Sequence, residues 1–265
     1  MMELIESEST NESRDFTKMA KQVALFLDFD GTLVEIAPMP DEVKLDRQLA
    51  PALDTLRSAL GGALALVSGR PIPDLDGFLA PYHFDIAGLH GAQIRLAGAI
   101  RSQADAPEAL REALRELIRF ANSHVGILVE DKRISAALHW RLAPQLQDEA
   151  LALVRKLAAG MGPSVRLQEG KSVAELVPAG ASKGNAISWL MREAPYSGRT
   201  PVFIGDDITD EAGFATVNAL GGLSIRIGAG ETCAGRRLAS PTALRTILLA
   251  AAESGSLTTD AFCQG

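Results

Sequence analysis

The stretch VALFLDFDGTLVEI, residues 23–36, decides the fold. It begins with five apolar residues that predict a buried β-strand, and two carboxylates, Asp28 and Asp30, stand at the end of that strand. Similar apolar runs follow at 63–67, 84–87, 201–204 and 223–227. Patterns typical of helices separate these runs, which indicates a parallel sheet covered on both faces.

The predicted helices of this α/β unit span about 47–60, 183–193, 210–219 and 241–252. The last begins with Ser240, a residue type that caps helix N-termini, and Pro241 would occupy its first helical position. The sequence therefore predicts a Rossmann-like core in which helices lie on both faces of the sheet.

The middle of the chain, from about 100 to 178, has a different pattern. In ISAALHWRL, residues 134–142, side chains alternate between an apolar and a more polar face, which is typical of a half-buried antiparallel strand. Apolar residues at helical spacing predict helices near 107–122 and 145–158. We expect an inserted α+β cap with its helices on one face of a separate sheet and Trp140 in its core.

The predicted domain limits follow from this change of pattern. Two hinges are expected, at 92–98 and at 178–182, where the chain leaves and re-enters the core. The division is a flexible tail at 1–20, a core at 21–97 and 180–253, a cap at 98–179 and a second flexible tail at 254–265.

The composition limits the classes of partner. The chain has 265 residues, 47% of them hydrophobic, and a net charge of −7, which argues against nucleic acid or an anionic membrane surface as a partner. The N-terminus is acidic, unlike a secretion signal, and Cys233 and Cys263 lack metal-ligand spacing. These features predict a soluble, cytoplasmic protein, and they do not forbid an anionic substrate.

Chemically active side chains follow several of the predicted strands. Asp28 and Asp30 follow the first strand and Ser68-Gly69-Arg70 follows the second. The acidic loop GDDITDE, residues 205–211, follows a later strand, and Lys183 opens a helix. Because sites in open α/β sheets form at the carboxyl ends of the strands, we expect these groups to meet at one rim.

Carboxylates gathered at one rim need a counter-charge. Two of them roughly 4 Å apart repel by about 4 kcal/mol at an effective dielectric constant near 20. A hard divalent cation removes that repulsion, and carboxylate oxygens together with water and substrate phosphate suit Mg²⁺. The pattern thus predicts a Mg²⁺ site.

The motifs DFDGTL, VSGR, a later Lys before a helix, and GDDITDE resemble, in that order, those of the haloacid dehalogenase-like phosphohydrolases. The resemblance implies that Asp28 is the nucleophile, Asp30 the general acid and base, and Ser68 a ligand of the phosphoryl oxygens. It implies that Lys183 holds the charges of Asp28 and the phosphate together. The metal ligands implied are Asp28, the backbone carbonyl of Asp30, Asp206, and Asp207 or Asp210.

The cap resembles that of the trehalose-6-phosphate phosphatase family, through GLHGAQIR, VEDKRISAALHWR and GKSVAELVPAGASKGNA. The resemblance implies trehalose 6-phosphate as substrate and a functional link to a trehalose-6-phosphate synthase. The sugar ligands would be Glu130, Lys132 and Glu175, with weaker candidates at Lys171, His139 and Arg141. Gly69, Arg70 and His90 are further candidates for binding the substrate. Two departures are Gln93, where an acidic residue is expected, and Trp140, where tyrosine is commoner.

Other functions remain open from the sequence. The nearest are phosphatases that act on sucrose 6-phosphate or mannosyl-3-phosphoglycerate. A phosphomutase would use the same aspartyl phosphate but would return the phosphoryl group to its sugar. A non-catalytic sensor of the sugar phosphate would be expected to lack Asp28 or Asp30, and this sequence retains both.

Overall fold

A computed structural model describes residues 23–39, 42–105, 107–255 and 262. The N-terminal tail predicted at 1–20 lies outside these residues, and so does most of the tail predicted at 254–265. Among the helices that the structure describes, none combines the length and the hydropathy needed to span a bilayer.

The larger sheet has β1 near its centre. In sheet order its eight described strands are β12 (Arg236–Leu238), β11 (Leu223–Ile227), β10 (Thr200–Gly205), β1 (Val23–Leu27), β2 (Leu64–Val67), β3 (Asp85–Gly88), β4 (Gln93–Leu96) and β5 (Ala99–Gln103). The first six of these are parallel, and β4 and β5 run antiparallel to their neighbours. This confirms the predicted parallel core.

Helices cover both faces of the sheet, as predicted. Leu25 and Leu27 of β1 pack toward one face, against α1 (Leu49–Ala59), α2 (Ile72–Leu79) and α7 (Pro241–Ser254). Ala24 and Phe26 pack toward the other face, against α5 (Lys183–Leu190) and α6 (Glu211–Ala219). Every residue of β1 is therefore buried, which is why this strand is apolar throughout. The expected cap of α7 is confirmed, since the Ser240 hydroxyl accepts from the Ala243 N–H.

The insert is a four-stranded antiparallel sheet with two helices. In sheet order its strands are β6 (Leu128–Asp131), β7 (Ala136–His139), β9 (Val173–Pro178) and β8 (Val165–Gly170). The helices α3 (Leu110–Ser123) and α4 (Gln147–Gly160) bury one face, with Ala136, Leu138 and Trp140 in the shared core. The alternation and the place of Trp140 are as predicted, but Leu142 is 59% exposed because β7 ends at His139.

A strand of the core sheet lies in the segment expected as the first hinge. The segment 92–98 contains β4, whose Ile94 and Leu96 are buried in the core. The chain then turns back through Ala97 and Gly98, both with positive φ, into β5. Residues 99–103, assigned from the sequence to the cap, therefore lie in the core sheet. The remaining domain limits stay a prediction.

Candidate active site

The residues that were expected at one rim do meet there. Asp28 and Asp30 follow β1, Ser68 follows β2, and Asp206 follows β10, while Lys183 is the first residue of α5. These five side chains line a cavity of about 190 Å³. The cap sheet lines the opposite side of the cavity with its polar face, through Glu130, Lys132, His139 and Glu175. The site therefore lies between core and cap.

Lys183 joins two buried carboxylates at the floor of the cavity. Its Nζ lies 2.7 Å from Asp28 Oδ1 and 2.6 Å from Asp210 Oδ1, and all three side chains are almost fully buried. Burial acts to lower the pKa of Lys183, but the charges of Asp210 and Asp28 outweigh it, so this pKa is raised and the amine stays protonated. Burial raises the pKa of Asp28 well above its ordinary value despite Lys183.

Asp206 completes an acidic group beside Lys183. Carboxylate oxygens of Asp28, Asp206 and Asp210 all lie within 4.8 Å of one another. Burial, followed by the charge of Asp210, raises the pKa of Asp206 to about 7. Thr32, which the sequence interpretation did not single out, donates to Asp28 Oδ2 over 3.1 Å and lies 3.4 Å from Asp206 Oδ1.

The acidic loop distinguishes Asp210 from Asp207, the two alternatives for the last metal ligand beside Asp28, Asp30 and Asp206. Asp210 Oδ2 accepts the backbone N–H groups of Asp206 and Asp207, each at 2.9 Å, so Asp210 shapes the loop as well as holding Lys183. The Asp207 side chain accepts the N–H of Ile208 instead. The structure thus groups Asp210, and not Asp207, with Asp28 and Asp206.

Gly31 permits this close grouping. Its φ is +79°, a conformation that side chains disfavour, and a Cβ at this position would lie 2.2 Å from Asp206 Oδ2. A glycine at position 31 therefore lets the loop after β10 approach the end of β1.

Arg70 lines the cavity and contacts Asp30. Its guanidinium makes two hydrogen bonds to the Asp30 carboxylate, at 2.6 and 2.7 Å, and it lies over the rings of Phe29 and Phe78. Its role as a substrate ligand stays a prediction, and in the structure it also fixes the orientation of the predicted acid and base. Ser68 is buried, and its Oγ accepts the Arg70 N–H at 3.2 Å.

The predicted sugar ligands of the cap form a charge network. Lys132 Nζ lies 2.9 Å from Glu175 Oε2 and 3.8 Å from Glu130 Oε2, and Glu130 also pairs with His139 at 3.0 Å. Burial works to raise the pKa of Glu175, but Lys132 and His90 lower it well below its ordinary value. Glu175 is therefore ionised.

Two further contacts surround this network. Ser135, which was not singled out, donates to Glu175 Oε1 over 2.7 Å. The period-two alternation of residues 134–142 puts Ser135 on the polar face of the strand, and that pattern could have identified it. Arg141 spans the cavity mouth, donating to the carbonyls of Ala37 in the core and Lys171 in the cap. The expected residue Lys171 lies on the turn between β8 and β9 and lines the cavity.

A parallel α/β core beneath a cap sheet is also the fold of a haloacid dehalogenase-superfamily sugar phosphatase of known structure, which superposes with a TM-score of 0.59 at 16% identity and covers 88% of this chain and 99% of that one. The family model described as trehalose-phosphatase matches residues 26–242, which cover core and cap together. The chain belongs to the trehalose-phosphatase family.

Individual relatives agree with the family model. The trehalose-6-phosphate phosphatase of Escherichia coli (strain K12) is 44% identical over 223 residues, 84% of either chain. A probable trehalose-phosphate phosphatase of Sinorhizobium fredii is 46% identical over 206 residues, 77% of either chain. The crystal structure of a trehalose-6-phosphate phosphatase related protein superposes with a TM-score of 0.74 at 27% identity, covering 88% of this chain and 98% of that one.

Proposed function

We propose that this protein hydrolyses trehalose 6-phosphate to trehalose and phosphate, with Mg²⁺ and through a phosphoaspartyl intermediate. The observation that carries the proposal is the placement of Asp28: a buried carboxylate, held 2.7 Å from the Lys183 ammonium, on the floor of a cavity roofed by charged cap residues. Family membership supports the same substrate class.

Asp28 and Asp30 would share the chemistry in two displacements. In the first, Asp28 Oδ attacks phosphorus, the bond from phosphorus to the sugar oxygen breaks, and Asp30 gives that oxygen its proton. In the second, Asp30 takes a proton from water, the water oxygen attacks phosphorus, and the bond to Asp28 breaks to release phosphate. Arg70 holds Asp30 in place, and the bidentate contact fixes both of its oxygens.

Lys183 and Ser68 would support the phosphoryl group. The Lys183 ammonium offsets the repulsion between the Asp28 carboxylate and an anionic phosphate, which is the main obstacle when an anion attacks an anion. The Ser68 hydroxyl lies buried at the same rim and would donate to a phosphoryl oxygen.

The acidic group fits a hard divalent cation. Its donors are all carboxylate oxygens, and the single positive charge of Lys183 does not neutralise three carboxylates. Asp28, Asp206 and the backbone carbonyl of Asp30 would hold Mg²⁺, with Asp210 or Asp207 close behind. When bound, the ion supplies positive charge that stabilises the phosphoryl oxygens.

The cap would select the sugar. Glu130, Lys132 and Glu175 present charged hydrogen-bonding groups to the cavity, which suits a neutral sugar with many hydroxyls. His139, Arg141 and Lys171 line the same cavity and are weaker candidates, and His90 lines it from the core side. We also propose that the reaction is cytoplasmic and linked functionally to a trehalose-6-phosphate synthase, which would supply the substrate.

The test is phosphate release by the purified protein with a panel of sugar phosphates, with and without Mg²⁺. We expect trehalose 6-phosphate to be turned over at least about tenfold faster than glucose 6-phosphate, sucrose 6-phosphate and mannosyl-3-phosphoglycerate, and EDTA to stop the reaction. Asp28→Asn should abolish turnover while the fold is kept. Equal rates on trehalose 6-phosphate and glucose 6-phosphate would refute the specificity.

The same assay separates the other functions. A sensor would bind the sugar phosphate without releasing phosphate, and a phosphomutase would isomerise it. Retention of both Asp28 and Asp30 favours the phosphatase.

A further inference from the structure

The turn Leu89-His90-Gly91 wraps around the loop that carries Ser68. All three of its residues have positive φ, at 52°, 55° and 90°, although non-glycine residues seldom adopt this conformation. The His90 N–H donates to the Ser68 carbonyl over 2.9 Å, and the Leu89 N–H donates to the Arg70 carbonyl over 3.0 Å. The turn thereby fixes His90 to the core side of the cavity.

The imidazole of His90 lies over Gly69 and points at the cap. A Cβ at Gly69 would lie 2.6 Å from His90 Nε2, so the absence of a side chain at position 69 makes room for the ring. The same Nε2 lies 3.3 Å from Glu175 Oε2, on β9 of the cap. His90 is therefore a core residue whose ring contacts a cap carboxylate.

The direction of this hydrogen bond follows from the partners. Glu175 is ionised and only accepts, so Nε2 must carry the proton. Burial lowers the pKa of His90, although Glu175 opposes it, so the ring is neutral near pH 7 and Nδ1 is a bare acceptor. Nδ1 is buried, and no described residue gives it a hydrogen bond. A buried polar atom without a partner is unfavourable, and the ring keeps this arrangement while its Nε2 donates to Glu175.

Lys132 makes the complementary contact. Its Nζ bonds Glu175 Oε2 and also the carbonyl of Gly69, at 2.9 and 3.0 Å. Each of the two cap residues therefore has a partner in the core: Glu175 bonds the His90 imidazole, and Lys132 bonds the Gly69 carbonyl. Both contacts cross from cap to core, so both would be lost if the cap moved away.

We propose that His90 is a positioning residue that acts through Glu175. From the core, it orients the cap carboxylate, so that Glu175 and Lys132 are arranged to bind the sugar only when cap and core are closed. The inference rests on the proposed function in one respect, because that proposal assigns Glu175 and Lys132 to the sugar. His90 itself does not need to contact the sugar.

The test uses two substitutions at His90 whose side-chain amides differ in their distance from Glu175. His90→Asn keeps a residue that tolerates positive φ, but its short amide does not reach Glu175. His90→Gln is longer and brings an N–H to the position of Nε2. Each variant is assayed with trehalose 6-phosphate and with p-nitrophenyl phosphate, which has no sugar for Glu175 and Lys132 to bind.

We expect H90N to lower kcat/KM for trehalose 6-phosphate by about tenfold or more, mainly through KM, because a hydrogen bond to a charged group is lost. We expect H90Q to stay within about threefold of the wild type, and p-nitrophenyl phosphate turnover to stay within about threefold for both variants. Equal losses on both substrates would overturn the inference, and so would no loss on either.

A double-substitution cycle tests whether His90 works through Glu175. If it does, H90N/E175Q should be no slower than E175Q alone; a further tenfold loss would show an independent role and overturn the inference. Should H90N not fold, H90G replaces it, since glycine adopts positive φ without strain.

The two proposals fail in different ways. The wild-type preference among sugar phosphates decides the substrate, whereas the cycle, run on whichever sugar phosphate the wild type hydrolyses fastest, decides the role of His90.

Discussion

Arg70 holds both carboxylate oxygens of Asp30, at 2.6 and 2.7 Å, although the two residues follow different strands. The contact fixes the proposed acid and base at one angle to Asp28. The guanidinium in turn is held by the aromatic rings of Phe29 and Phe78.

Arg70→Lys should therefore lower kcat by about 10- to 100-fold with a smaller change in KM, because an ammonium does not reproduce the two-pronged contact. Steady-state phosphate release measures both constants. Arg95→Lys is the matched control, since Arg95 also makes two hydrogen bonds to one carboxylate, that of Asp76, at 2.7 and 2.6 Å, and neither residue lines the cavity. If R95K slowed turnover as much as R70K, the effect would not be due to Asp30.

Lys183→Met should abolish turnover and destabilise the metal-free protein. The substitution leaves Asp28 and Asp210 buried without their cation, and breaking a buried ion pair by removing one partner costs about 3–5 kcal/mol. Urea unfolding followed by circular dichroism measures the loss. K183M/D210N should recover part of that stability but no activity, because the introduced amide oxygen would still accept the loop N–H groups without adding a charge. Equal instability of the two variants would contradict a charge origin.

Gly31→Ala should inactivate the protein. Its Cβ would meet Asp206 Oδ2 at 2.2 Å, so the acidic loop would have to move away from Asp28. Gly98→Ala is the control, since Gly98 has nearly the same φ, +77°, and no atom within 4 Å of its Cβ position. Both variants carry a backbone strain of about 1–2 kcal/mol, but only G31A should lose phosphate release. Equal activity of the two would argue against the close approach.

The stabilisation by Mg²⁺ should depend on pH. Burial and Asp210 raise the pKa of Asp206 from 3.8 to about 7, so the folded protein favours the protonated carboxyl. That contribution to stability is fully present below about pH 3.8 and is lost as the pH rises through 7. Mg²⁺ competes with this proton and should therefore raise Tm by several degrees more at pH 8 than at pH 5, since 1 kcal/mol is worth about 2–4 °C at this size.

Differential scanning fluorimetry with Mg²⁺ and with EDTA measures this difference at each pH. D206N is the control, because the asparagine does not titrate, so the Mg²⁺ shift should be small and similar at both pH values. A shift in the wild type that is larger at pH 5 than at pH 8 would contradict the assignment.

The fold could be predicted from the sequence because its strands are marked by composition. β1, β2 and β10 are apolar runs buried on both faces, and the cap strand β7 carries a period-two pattern. The hairpin of β4 and β5 was missed because AQIRLAG is short and its strand pairing depends on β3, a neighbour that the local pattern does not reveal. The chain reverses at Ala97 and Gly98 because both have positive φ, and the pattern of apolar residues does not reveal φ.

The site could be predicted in part. Asp28, Ser68 and Asp206 each follow a strand of the core, so their meeting followed from the sheet. Lys183 opens a helix, and it was expected at the same rim. The choice between Asp207 and Asp210 did not, because it depends on the 3₁₀ turn Ile208–Asp210 that directs Asp210 inward. The pairing of Arg70 with Asp30 joins two different strands, and no spacing in the sequence encodes it.

The central position of β1 has a consequence for biosynthesis. This strand pairs with β10 on one side, so Val23 meets Thr200 only after residues 28–199 have been made. Until the ribosome has released β10, one edge of an apolar strand lacks its partner, and such an edge can pair with other chains. The nascent polypeptide should therefore depend on chaperones during most of its translation, and slow synthesis between β1 and β10 should increase aggregation.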